Sequence, residues 1–146
     1  MQDFKIEGEK YRNEVQRFYD MLRYTTTNIA ELKQEFDNLD QECFKNGYDK
    51  CNALHDHLIL KIWEAERKYL ATRKQLKACD QYIPLHYINY GVDSIQGKTP
   101  VEVNILKTYL ECARPFQSRM TIQAKEVEIL YRDSIRKTTK VKAEQK

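Results

Sequence analysis

With 146 residues, 32% charged and 41% apolar side chains, and only 4 glycines and 3 prolines, the chain has the composition of one domain of long charged helices and not of a many-turned sheet. Its apolar runs fall far short of the ~20 residues a membrane-crossing helix needs, and the opening MQDFKIEGEK lacks the basic-then-apolar layout of a secretion signal. The net charge of +3 is uneven: residues 1–49 hold 7 basic and 11 acidic side chains, 50–83 hold 7 and 4, and 132–146 hold 6 and 2.

The cleanest repeat opens the chain. Tyr11, Val15, Phe18, Leu22, Thr25, Ile29, Leu32, Phe36, Leu39 and Cys43 follow one another at alternating steps of four and three. That spacing predicts a first helix over about 4–45 with one narrow apolar seam. Asp3 stands at its N-cap position, Gly8 weakens its start by about 1 kcal/mol relative to Ala, and Asn46-Gly47 provides a left-handed stop.

Asp49 is a good N-cap for a second helix over 49–82, ended by Pro84. Its seam reads Cys51, Leu54, Leu58, Ile62, Ala65, Tyr69, Thr72, Leu76, Cys79 and Ile83. The two four-residue steps from Leu54 through Leu58 to Ile62 form a stutter. Ile59, Leu60 and Trp63, the sole tryptophan, add apolar area there. A widened apolar arc needs more than one neighbour, so the expectation is that these three are buried against the third helix or a partner.

Residues 84–100, PLHYINYGVDSIQGKTP, read as one long connecting loop, with Tyr87, Tyr90 and His86 as a contact surface or as a lid over the end of the bundle. Thr99-Pro100-Val101-Glu102 is a capping box with proline at the first helical position. It starts a third helix over 100–142 whose inward residues include Leu110, Phe116, Met120 and Val127. Pro115 predicts a kink there, not a full break, because the apolar spacing resumes at Phe116. Residues 137–146 form a frayed basic tail. The fold expected is therefore all-α, a single antiparallel bundle of three long helices over 1–146.

Chemistry is sparse. Cys51 and His55 lie one helical turn apart, which is two ligands on one face where a closed zinc site wants four, so no metal is assigned. No phosphate loop, GxSxG elbow, HExxH or Walker pattern is present, and the carboxylates are scattered, so neither catalytic residues nor cofactors are expected. Cys43, Cys51, Cys79 and Cys112 are far apart without CxxC and read as reduced thiols in a cytoplasmic setting. Arg132, Arg136, Lys137, Lys140 and Lys142 offer a basic surface for an anionic membrane. They lack the interleaved aromatics that favour nucleic acid.

The stretch EVQRFYDMLRYTTTNIAELKQEFDNL resembles the first helix of the N-terminal three-helix regulatory domain of syntaxin-type SNARE proteins, and KYLATRKQLKACDQ resembles the end of its second. Phe116 with Met120 resembles that family's Phe-x-x-x-Met step, and Tyr131-Arg132 its later Tyr-Arg pair. The resemblance implies a cytosolic regulatory module in vesicle fusion, which binds a SNARE helix or a Sec1/Munc18-type protein in the groove between the second and third helices. Two other readings fit the same residues. One is a coiled-coil scaffold subunit of a cytoskeletal or tethering assembly, in which a seam or the Trp63 face meets another chain. The other is a basic helical module on anionic membranes. Ile59, Leu60, Trp63, Tyr87 and Tyr90 are the partner-binding candidates throughout.

Overall fold

The computed structural model describes residues 3–46 and 52–144. Four α-helices, α1 (Asp3–Asn46), α2 (Asn52–Lys77), α3 (Leu85–Tyr90) and α4 (Pro100–Glu144), are joined by tight 3-10 turns at Ala78–Tyr82 and Val92–Ser94. No strand occurs among the described residues. The proposed caps at Gly47 and Asp49, and the seam residue Cys51, lie outside the described residues. No helix is long and apolar enough to cross a membrane among the described residues.

The chain forms two compact units, Met1–Arg23 with Ala71–Met120 and Tyr24–Leu70 with Thr121–Lys146. In the first, the start of α4 follows the capping-box pattern: the Glu102 amide donates to Thr99 Oγ1 at 3.2 Å and the Thr99 hydroxyl donates to Glu102 Oε1 at 3.3 Å. Glu102 also accepts from the amides of Gln96 (3.2 Å) and Lys98 (3.3 Å), so one carboxylate ties the preceding turn to the helix end. That turn carries the fully buried Ile95. It also carries Gly97, whose φ of +71° places it in the left-handed region, and whose backbone lies against that of Gly8 on α1. Helix α1 therefore does not fray at Gly8. The absence of a Cβ, a weakness for an isolated helix, is what admits the neighbouring chain. Phe18, Leu76, Cys79, Leu106, Tyr109, Leu110, Ala113 and Met120 complete this core.

In the second unit, α1 and α2 run in opposite directions: Thr26 meets Tyr69, Lys33 meets Glu66, and Asp40 meets His55. Phe36 is the hub. Its ring stacks on His55 at 5.9 Å and meets Tyr131 of α4 edge-on at 6.0 Å. Leu32, Cys43, Leu58, Ile62, Ala65, Tyr69, Ala124, Val127, Ser134 and Thr138 are also buried in this unit.

Most of the expected seam is internal. Val15, Phe18, Leu32, Phe36, Leu58, Ile62, Tyr69, Leu76, Leu110, Met120 and Val127 are buried, whereas Leu22, Ile29, Leu39 and Phe116 are half-buried. Phe116 instead lies beneath the Arg119 guanidinium, 5.4 Å from the ring centroid.

Three expectations are corrected. The 84–100 connection is not a plain loop. Pro84 and Gly91 bracket the six-residue helix α3, and Gly91, at φ +88°, closes it. Helix α2 tightens at its end, so its last turn is 3-10 from Ala78 to Tyr82. The tail does not fray from residue 137: α4 remains helical to Glu144, because Thr138 continues the buried line of Tyr131 and Ser134, and the Thr139 hydroxyl donates to the Ile135 carbonyl at 2.8 Å. Pro115 lies inside this helix without breaking it, with Ala113 and Met120 buried on either side.

Candidate interaction site

Helix α2 buries one stripe. Leu58, Ile62, Ala65, Tyr69, Thr72, Leu76 and Cys79 are all buried, at strict steps of four and three. At 3.6 residues per turn, positions 60, 63, 67 and 70 then fall together in an arc of roughly 80° on the opposite side. Leu60 is 62% exposed, Trp63 52% and Leu70 55%, with Arg67 exposed between them. Of the two expectations for Leu60 and Trp63, burial against the third helix is not what the structure shows, since both are exposed within the chain, and burial against a partner stays open. Ile59, at the edge of this arc, is half-buried.

Ion pairs flank the stripe. Glu64 pairs with Lys68 one turn on at 3.6 Å, and Glu66 reaches Lys33 of α1 at 3.9 Å. Burial pushes the Glu66 carboxyl above its ordinary range, partly opposed by Lys33. Among the described residues no carboxylate pairs with Arg67. A cleft of about 270 Å³ opens beside the stripe, lined by Lys61, Glu64, Ala65 and Lys68 of α2 and Glu126 and Leu130 of α4. Its walls are charged, so it suits a salt-bridging side chain and not a small apolar ligand.

The α3 region carries further exposed apolar residues, as do α1 at Ile6, Tyr24 and Phe44 and α4 at Val101, Ile122 and Ile129. Tyr82, Leu85, Ile88 and Tyr90 are exposed, Tyr90 at 82%. Tyr87 is half-buried with its ring 4.1 Å from that of His86. Tyr87 is thus partly folded back onto the chain, while Tyr90 does not act as a lid.

Sequence reasoning missed a cluster that joins α1, the end of α2 and α4. Cys79 and Cys112 form a disulfide that ties the 3-10 end of α2 to α4 across a separation of 33 residues. The reading of all four cysteines as reduced thiols is therefore wrong for this pair. Nothing in their spacing could show it, because only the packing of two helices brings them together. One turn before Cys112, Tyr109 donates its phenolic hydrogen to the Tyr19 hydroxyl at 3.2 Å, with the rings stacked 6.3 Å apart. Burial raises both phenols above their ordinary range, Tyr109 by far the more, and the Asp80 charge adds to the effect. The Asp80 carboxyl is itself raised by burial. The two phenols stay protonated and neutral at physiological pH and act as structure. Tyr109→Phe is expected to cost about 1–2 kcal/mol by leaving the Tyr19 hydroxyl without its donor, read as a lower urea midpoint at unchanged slope. Closer to the surface, Arg114 grips Glu14 with two bonds of 3.0 and 2.7 Å, and the hydrogen bond holds the Glu14 carboxyl below its usual range.

His55, one turn from Cys51 in the sequence, is engaged by its neighbours. It packs on Phe36 and contacts Asp40 and Asp56, and no group of three ligand side chains occurs among the described residues. Cys112, bridged to Cys79, has no thiolate to offer. In the basic tail, Arg132 pairs with Glu128 at 3.2 Å, and Arg136 and Lys137 share Asp133 at 2.7 and 3.1 Å. Three of the five proposed membrane-facing cations are thus locally neutralised. The side chains of Lys140 and Lys142 lie outside what the structure describes.

No family model matches this sequence, no curated protein is recognisably similar to it, and no solved structure matches it.

Proposed function

We propose that the chain is a non-enzymatic helical interaction module of the scaffold type, in which the long helices of each unit run up, down and up, and the outward face of α2 meets another protein. The observation that carries this reading is the heptad-spaced line Leu60, Trp63 and Leu70, exposed on the side away from the buried stripe. Single exposed apolar residues are ordinary, but an aligned set that includes the only tryptophan marks an interaction site. Heptad spacing favours a helix as the matching surface.

The charged cleft between α2 and α4 supports the syntaxin-like reading as the second choice, since that is where a SNARE helix or a Sec1/Munc18-type protein would bind. The Cys79–Cys112 bridge weighs against it. Structural disulfides persist in oxidising compartments and are rare in the cytosol, so we place the chain in an oxidising compartment.

The test compares wild type with Trp63→Ala in affinity co-purification from native extracts. Trp63 is half-exposed, so the substitution should change stability by no more than about 1 kcal/mol. A bound protein retained by wild type and lost with Trp63→Ala, at unchanged melting temperature, is the expected result. Unchanged co-purification, or a melting temperature that falls with Trp63→Ala as for a core residue, would reject the reading.

A further inference from the structure

The exposed line on α2 has an internal symmetry. It runs Leu60, Trp63, Arg67, Leu70, with separations of three, four and three that are the same from either end and a leucine at each end. Two copies laid antiparallel about a two-fold axis opposite Ala65 would bring Leu60 against Leu70, Trp63 against Arg67, and the same pairs again on the other side. From this self-complementarity we infer that the partner of this face is a second copy of the chain, docked α2 to α2. The inference rests on the interaction reading given above and names its occupant.

Three observations favour a second copy over another partner. An isologous contact requires one patch to complement itself, and this one does so in all four layers. Arg67, a cation at the middle of an apolar line, has no carboxylate among the described residues, and the indole face it would meet is the best π partner for a guanidinium. The acidic residues nearest the axis, Glu64 and Glu66, are already held by Lys68 and Lys33, which reduces repulsion between the two copies. An anionic membrane would require neither the symmetry nor the narrow spacing.

Sedimentation equilibrium on the full chain tests this directly, over protein concentrations of about 1 µM to 1 mM, the range suited to a small helix-to-helix contact. Wild type is expected to show a monomer–dimer equilibrium. Trp63→Arg sets arginine against arginine in both central layers and should weaken the dimer by about tenfold or more. The double variant Trp63→Arg/Arg67→Trp regenerates the palindrome with the roles exchanged and should return the affinity to within about threefold of wild type. All positions are exposed, and circular dichroism melting confirms that each variant is folded.

A chain that stays monomeric throughout, a dimer indifferent to Trp63→Arg, or a swap that fails to restore it overturns the inference. So does a shift in Trp63 emission with phosphatidylserine vesicles at concentrations where the protein does not self-associate. A monomeric chain whose Trp63→Ala variant still loses a co-purifying protein rejects the second copy alone and leaves the interaction reading standing. A monomeric chain with unchanged co-purification rejects both.

Discussion

Reduction of the Cys79–Cys112 bridge is expected to lower the stability of the folded chain by about 3–4 kcal/mol. The magnitude follows from the sequence separation of 33: once the bond is cut, the unfolded chain regains the freedom of a loop of that length, while the folded chain keeps its packing. Cys79 is fully buried, so its side chain keeps its place in the core with or without the bond. For a chain of this size the loss corresponds to a fall in melting temperature of roughly 7–14 °C. Parallel calorimetric scans with and without reductant read it directly, and non-reducing peptide mapping should find the Cys79 and Cys112 fragments joined. Superimposable scans would show that the bridge contributes nothing, and separate fragments would remove the oxidising-compartment assignment with it.

Gly8→Ala is expected to destabilise the protein by about 2–3 kcal/mol, against the sign that helix propensity alone would give. In an isolated helix this change gains about 1 kcal/mol. Here a Cβ at position 8 would lie 2.0 Å from the Gly97 carbonyl oxygen, 2.9 Å from its carbon and 3.0 Å from a methyl of Val103. The first two are backbone atoms, so no rotamer change relieves the clash, and either α1 or the 95–99 turn must move away. Gly97→Ala should behave alike, since its Cβ would meet the Gly8 backbone at 2.7 Å and its φ of +71° disfavours any side chain. Gly91→Ala is the control. It shares a positive φ but has nothing within 4 Å, so it should cost only about 1–2 kcal/mol of left-handed strain. The urea midpoint decides: a Gly8→Ala protein as stable as wild type or more so would show that the two backbones do not touch.

The fold was legible wherever periodicity ran long. Val15, Phe18, Leu32 and Phe36 repeat over many turns, and a repeat of that length admits only a helix with one inward face. The start of α4 was equally plain, because Thr99, Pro100 and Glu102 each supply a separate chemical reason for a helix to begin there. Helix α3 was hidden because LHYINY is too short to show a period, between a proline and a glycine that also suit a loop. Trp63 and Leu60 left two readings open, burial against the third helix or against a partner, for a different reason. Their apolarity was evident, but it carries no direction by itself, and the phase of Leu58, Ile62, Ala65 and Tyr69 already set them on the far side. The disulfide and the Gly8–Gly97 contact join residues remote in sequence, which no local pattern records. Of the candidate site, the residue types were legible, and the choice between the third helix and a partner was left open until the exposure of Leu60 and Trp63 was seen.

The exposure of Trp63 is most directly measured by its own fluorescence, because it is the only tryptophan in the chain. Acrylamide quenching in dilute solution should show an indole open to solvent, with emission that moves to shorter wavelength and resists quenching as the face becomes occupied. An indole shielded at every concentration, and released only when the chain unfolds, would place Trp63 in the core and contradict an interaction surface on α2.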